Sequence, residues 1–328
     1  HLRLLKEAGL VMEYKEKNFV YYSLDMTVDG KGSVSKREVI KTYSSQNSVS
    51  NEVVVNVLKD VKTYCPAERY SLIFGSHATG WLPVDDSKSR SFGDDSGAKI
   101  NIPDLSKALA QSGIHFDYIL FDACLMSQVE VAYELRNAAD YLILSPAEVM
   151  SAGFPYFKMT KYLLSADNSE QSAINIAKDF IDYYKNEYNY SWGTIAVIKT
   201  NEISALADVT CSIMKQYQGN LVKFDNSKID YFQAHYGYGR SPLDHSTYDF
   251  RAFIRELTDG NIPSDFEGQL DRVVVYKDYV DDDKLVDIDS DIYSGIGCYI
   301  PDTRYLKWNA FFRTLQWHSA AGWDEVGR

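Results

Sequence analysis

The pattern that most constrains this chain occurs twice: a short apolar strand that ends abruptly on residues able to do chemistry. Tyr70 to Phe74 runs into Gly75-Ser76-His77, and Phe116 to Phe121 runs into Asp122-Ala123-Cys124. Strand and helix signals alternate around both. Ser50 precedes a helical pattern carrying Val53, Val54, Val57, Leu58 and Val61 on one face. Pro103-Asp104 opens a second helix that Gly113 stops, Ser127 to Ala139 reads as the helix after the cysteine, and Tyr141 to Leu144 as the next strand. Such alternation predicts an α/β fold with a mainly parallel sheet covered by helices, whose ligand sites lie beyond the carboxyl ends of the strands. His77 and Cys124 both fall there.

The pattern continues with a helix over Ser169 to Tyr184, a strand over Thr194 to Ile198 and a helix over Ser204 to Tyr217. After Asn220 it weakens into a stretch rich in Tyr and Asp. Strands are expected there at Arg272 to Tyr276 and Gly297 to Ile300, with aromatic Trp308, Phe311, Phe312 and Trp317 beyond. Upstream, Phe19 to Leu24 and Val34 to Tyr43 read as extended segments. His1 to Ala8 reads as a helix with no strand before it, which suggests a fragment. Residues 1–200 are expected to form the core, its amino-terminal part missing, with 201–328 a carboxyl-terminal extension packed on it. Pro83 to Asn101, rich in Asp, Ser and Gly and carrying Lys88, Arg90 and Lys99, reads as an exposed loop.

Composition removes several classes of function. A formal net charge of −12 without a run of Lys or Arg argues against a nucleic-acid surface, and would tolerate cationic substrates. No apolar stretch approaches the roughly 20 residues that span a bilayer. The four cysteines (Cys65, Cys124, Cys211, Cys298) lack CxxC spacing, so neither a zinc site nor a disulfide framework is indicated. Asp281-Asp282-Asp283 lacks calcium-loop spacing, and Gly237-Tyr-Gly239 lacks the context of a phosphate loop. His115, His235, His245 and His318 show no ligand spacing, and no GxSxG supports serine hydrolysis.

A cysteine nucleophile must act as thiolate, which is only a few per cent of a free thiol at neutral pH, so it needs help from a histidine or a similar group. Cys65, Cys211 and Cys298 lie on or beside apolar patterns and read as small hydrophobes. Cys124 differs: it follows polar Asp122 at a strand end and precedes a predicted helix, whose unpaired N–H groups favour a thiolate and bind an oxyanion. His77 sits in a turn of small residues with room for a substrate. Asp122 has two readings here, as a carboxylate lining a pocket and as a cap of the following helix.

The segments Ser71 to Trp81 and Tyr118 to Met126 together resemble the clostripain family of cysteine peptidases, of the caspase-like clan. Ser91-Phe92-Gly93, Tyr133-Glu134-Leu135, Ser145-Pro146 and Gly153-Phe154-Pro155 extend the resemblance over roughly residues 50 to 160, and it continues loosely into Gly295 to Pro301 and Trp317. It implies a caspase-like fold and an endopeptidase acting on peptides or proteins after Arg or Lys. His77 and Cys124 would be the catalytic dyad, Asp122 would shape the pocket for the basic side chain, and the N–H groups of Ala78 and Cys124 would hold the oxyanion. It also implies export and self-processing in the 83–101 loop, with Arg90 favoured over Lys88 and Lys99. The chemistry needs no cofactor, although some members use calcium. Two departures stand out: Ala78 occupies a position where the family usually has glycine, and a strand and helix usually precede the region that His1 opens. They keep a catalytically weak or inactive peptide-binding relative as the alternative, and transpeptidation is a third outcome of an acyl-enzyme.

Overall fold

A computed structural model describes residues 12–15, 18–25, 36–44, 46–85, 91–163, 168–233, 245–282, 286 and 288–325. The helix expected at His1 to Ala8, together with Lys88, Arg90, His235, the Gly237-Tyr-Gly239 turn and Asp283, lies outside them. Met12–Lys15 (β1), Asn18–Asp25 (β2) and Lys36–Ser44 (β3) form an antiparallel sheet in the order β1-β2-β3. Asn51–Tyr64 (α1) follows, capped by Ser50, whose side chain accepts from the Val53 N–H. Lys41 and Tyr43 of β3 both bond Asp60 of α1.

Next come Leu72–Gly75 (β4), the hairpin Phe92–Asp95 (β5) and Ala98–Ile100 (β6), and Ile102–Ser112 (α2), which ends on Gly113 at φ 68°. Phe116–Asp122 (β7), Val129–Leu135 (α3) and Ala139–Leu144 (β8) lead to Tyr156–Leu163 (α4), Ser169–Asn186 (α5), Trp192–Lys199 (β9) and Ile203–Gln216 (α6). Tyr248–Asp249 (β10), Phe250–Leu257 (α7), Ser264–Val273 (α8), Val274–Asp281 (β11), Gly297–Cys298 (β12), Leu306–Phe312 (α9) and Gln316–Ala320 (α10) follow.

The central sheet has the order β11-β9-β8-β7-β4. β4, β7 and β8 are parallel, while β9 runs against both β8 and β11, so four of the five strands point one way. Side chains alternate across it. Ile119 and Phe121 of β7 enter a core with α1, α2, α3 and α6, whereas Tyr118 and Leu120 enter a second core with α4 and α5. Each fully buried Leu, Ile or Phe contributes about 1.5–3 kcal/mol, so these two layers fix the sheet and its strand ends. The fold is the expected α/β class, a mixed and mainly parallel sheet with helices on both faces. The region after residue 200 supplies β11 to this sheet.

Three expectations need correction. The segment 83–101 is not a plain exposed loop: β5 and β6 pair within it, and Ser91, Phe92 and Ile100 are buried. Asp94 accepts from the Gly97 N–H in the turn of this hairpin, Asp95 accepts from the Ser48 N–H, and the Gly93 N–H donates to the His77 carbonyl. The helix expected over Ser127 to Ala139 spans only Val129–Leu135. The N–H groups of Leu125 and Ser127 donate to the carbonyls of Ala147 and Ser145, which ties the segment after the cysteine to the loop after β8 before the helix begins. Finally, Arg272 and Val273 end α8 instead of opening a strand.

Candidate active site

Parallel pairing sets the geometry. Gly75 of β4 lies opposite Asp122 of β7, and the Ser76 N–H donates to the Asp122 carbonyl at 3.2 Å. His77 and Cys124 each stand two residues beyond that matched pair, on neighbouring strands whose axes lie about 4.8 Å apart. The two loops therefore leave the same edge side by side. His77 is exposed and Cys124 half-buried.

Cys124 is followed by Leu125 in the left-handed region, at φ 58°. That backbone costs about 1–2 kcal/mol for a non-glycine residue. Leu125 is only 3% exposed, and its burial is worth about 1.5–3 kcal/mol, enough to offset the strain. The Cys124 sulfur meets the backbone of Val149: the Val149 N–H donates to Sγ at 3.3 Å, and Sγ lies 3.7 Å from the Val149 carbonyl oxygen. Because α3 starts only at Val129, no helix N-terminus opens directly after the cysteine, contrary to the sequence expectation.

The His77 loop is held from three sides. Its carbonyl accepts from the Gly93 N–H at 3.1 Å and the Thr79 N–H donates to the Ser91 carbonyl at 2.8 Å, so Ala78 faces Phe92 across a bridge. In such a non-hydrogen-bonded antiparallel pair, the N–H of the central residue points away from the partner strand. Ala78 is not among the residues with positive φ, and its methyl group packs in the core at 4% exposure. The departure from glycine thus brings no left-handed strain. Trp81 is wholly buried against Tyr299 and Phe312, with ring centroids 4.9 and 5.5 Å away.

Gln128 joins the two loops. It is fully buried; its Oε1 accepts from the Trp81 N–H at 3.4 Å, its Nε2 donates to Thr247, and its backbone bridges Gly297. Gly80 has φ +67°, and a Cβ there would lie 2.2 Å from Gln128 Oε1.

Asp122 does not cap a helix. Its Oδ2 accepts from the Tyr156 hydroxyl at 2.9 Å and from the Phe154 N–H at 3.4 Å. Burial raises its pKa above the ordinary carboxylate value, against the lowering effect of these two donors. The Tyr184 hydroxyl donates to the Gly153 carbonyl at 2.9 Å and steadies the turn that carries Phe154. Glu148 sits between Ala147 and Val149, its carbonyl accepting from Trp192 Nε1 at 3.1 Å.

Sequence reading missed Val149, Tyr156 and Gln128, because each acts through a contact between distant segments. The only local signal was that Gln128 is a polar residue within an apolar run. Of the remaining candidates, Lys99 lies inside β6, and Cys65 and Cys211 are half-buried while Cys298 is buried, where desolvation lifts its thiol pKa well above the usual value. His115 contacts Asp140 at 2.8 Å, His245 stacks on Tyr231, and His318 contacts Asp324 at 2.9 Å. Among the described residues, no three His, Cys, Asp or Glu side chains are grouped to hold a metal ion. No helix among them is long and apolar enough to cross a membrane.

The sequence profile of the clostripain family matches residues 18–326. A secreted C11 cysteine protease from Bacteroides thetaiotaomicron, solved in complex with an irreversible peptide inhibitor, is similar at 30% identity and a TM-score of 0.75. That match covers 96% of this chain and 88% of the other. Iotapain, described as a secreted C11 protease of the same organism, aligns at 26% identity and a TM-score of 0.77, over 94% of this chain and 86% of its own. An inactive zymogen of a C11 protease from Parabacteroides distasonis aligns at 28% identity and a TM-score of 0.78, over 98% of this chain and 92% of its own. No curated protein matches the chain. With a family match across nearly its whole length and the shared α/β architecture, the chain belongs to the clostripain family of C11 cysteine proteases.

Proposed function

We propose that this protein is an endopeptidase that cleaves after Arg or Lys, with Cys124 as nucleophile and His77 as its proton partner. The observation that carries this reading is the Gly75–Asp122 register, which sends both residues from adjacent parallel strand ends. In the reaction, the Cys124 thiolate attacks the scissile carbonyl, forming the S–C bond and pushing the carbonyl π electrons onto oxygen. The N–H groups of Cys124 and Ala78 stabilise that oxyanion. The direction of the Ala78 N–H, away from β5, supports its part. His77 protonates the leaving amine as the C–N bond breaks, then takes a proton from the water that hydrolyses the thioester. This chemistry draws on no cofactor.

Asp122 holds the basic side chain before the scissile bond. Its buried carboxyl, with only two neutral donors on Oδ2, supports a role in pairing a guanidinium or ammonium group. Self-processing is favoured at Arg90 or Lys88 over Lys99, because Lys99 is within a paired strand. Cleavage at Arg90 would free an amino terminus at Ser91, whose carbonyl already binds the His77 loop through Thr79. The description of two similar structures as secreted supports export.

A peptide library read by mass spectrometry tests the assignment. Wild-type protein should cut after Arg and Lys, and Cys124→Ala and His77→Ala should not. Cleavage retained by Cys124→Ala, or binding of peptides without turnover by wild type, would overturn it.

A further inference from the structure

A half-buried thiol beside apolar side chains is poorly placed to ionise. Cys124 packs at the margin of a cluster containing Leu125, Ala147 and Trp192, where desolvation opposes the thiolate. The charged and titratable groups around it offer limited help. Asp122 lies two residues upstream, Glu148 lies in the facing segment, and the Tyr184 phenol is raised chiefly by burial, with the charge of Asp122 adding to it. A carboxylate or phenolate here opposes a second negative charge. His77, on the adjoining loop, is the one group among these that favours it. Along the chain, the first helix after Cys124 among the described residues begins at Val129.

A backbone donor does reach the sulfur. Val149 directs its N–H to Sγ at 3.3 Å, nearer than its carbonyl oxygen at 3.7 Å. The segment that carries it is fastened at the two residues just before the contact. The Ala147 N–H donates to Thr194 Oγ1 at 3.2 Å, the Ala147 carbonyl accepts from Leu125 N–H at 2.9 Å, and Trp192 Nε1 donates to the Glu148 carbonyl at 3.1 Å. The donor is therefore positioned before any substrate arrives, as a preorganised electrostatic group must be.

We infer that the Val149 backbone N–H is a catalytic donor that holds the Cys124 sulfur as thiolate before attack. The inference rests on Cys124 being the nucleophile. The bond forms to the reacting atom and weakens as sulfur gives its charge to the new S–C bond. It therefore raises the thiolate fraction and lowers the reactivity of each thiolate. Removing a hydrogen bond to a charged group should raise the thiol pKa by about one unit or more. Reactivity per thiolate follows basicity with a slope of ~0.4–0.5. Well below the pKa, alkylation should then slow about three-fold, and above the pKa it should speed up about three-fold.

The test is iodoacetamide labelling of Cys124 across pH, quantified on its peptide by mass spectrometry. Val149→Pro deletes the N–H, and Val149→Ala keeps it. Should the proline variant fail to fold, incorporating the α-hydroxy analogue of valine at 149 replaces the N–H by oxygen with the side chain retained. Trp192→Phe controls for the weakened Glu148 carbonyl. Crossing profiles, with slower labelling at low pH and faster labelling at high pH only when the N–H is lost, are expected. Superimposable profiles, or the same shift in Val149→Ala or Trp192→Phe, would overturn the inference. If Cys124 is not the nucleophile, peptidase activity survives in Cys124→Ala, and the labelling profile reads the N–H independently of that result.

Discussion

Replacing Asp122 with asparagine removes a charge while nearly preserving shape. Asp122 is 7% exposed and accepts from Tyr156 and Phe154 at the same oxygen, Oδ2, so an amide oxygen in that place can retain both bonds. In the role proposed for Asp122, the wild-type carboxylate pairs with an entering substrate guanidinium away from bulk water. Deleting one member of a buried pair costs about 3–5 kcal/mol. That corresponds to a loss of about 10² to 10³-fold or more in kcat/KM for Arg and Lys substrates. Burial works in the other direction, because it lifts the Asp122 pKa and the proton must leave before pairing. The sign follows: the pairing is complete above that raised pKa and is lost as pH falls through it. An acid limb above about pH 3.9 should therefore appear in kcat/KM for Arg peptides and be absent for matched citrulline peptides. The assay compares Arg, Lys and citrulline peptides in both proteins, with iodoacetamide titration of Cys124 to count intact sites. If Asp122→Asn keeps its preference for basic residues, the reasoning fails, and Glu148 becomes the acid to change next.

Wild-type protein should yield a new amino terminus after Arg90 or Lys88, while Cys124→Ala stays intact; amino-terminal sequencing decides, and equal cutting of both would assign the cleavage to another protease. Glu130 is wholly buried, its Oε1 accepting from the Tyr299 N–H and its Oε2 without a hydrogen-bond partner among the described residues, and burial pushes its pKa up to about 8. Stability should fall as pH rises from the unfolded carboxyl value of about 4.3 to about 8, by up to ~5 kcal/mol, and Glu130→Gln should lack this decline in urea midpoints measured at pH 5 and pH 9. Gly80→Ala should cost about 1–2 kcal/mol from the left-handed backbone alone. It should also lower kcat/KM in the fully folded fraction, because Gln128 must move; unchanged kinetics would show that the clamp does not position His77.

The sequence revealed those parts of the fold that are local. Ser50 as a cap and Gly113 as a stop lie where the structure has them, and the strands before His77 and Cys124 are strands because their apolar residues feed the two cores. What escaped was set by partners far along the chain. Ser127 and Gln128 have the composition of a helix start, yet carbonyls in the loop after β8 capture the N–H groups of Leu125 and Ser127 and postpone the helix to Val129. Ser91 and Phe92 look like loop residues until the His77 loop pairs with them. For Asp122, proximity to Cys124 was evident from sequence, but Tyr156 and Phe154 were not, since neither spacing nor period links them to it.

The burial of Trp81 against Tyr299 and Phe312 also bears on when the enzyme comes alive. During synthesis the His77 loop leaves the ribosome before Tyr299 and Phe312, the aromatic rings that seat its Trp81, have been made. Domains consolidate as their parts emerge, and a loop without its anchor has nothing to hold it. With His77 in its proposed role, proteolytic competence waits for these rings, which spares a growing polypeptide from a protease assembled before them.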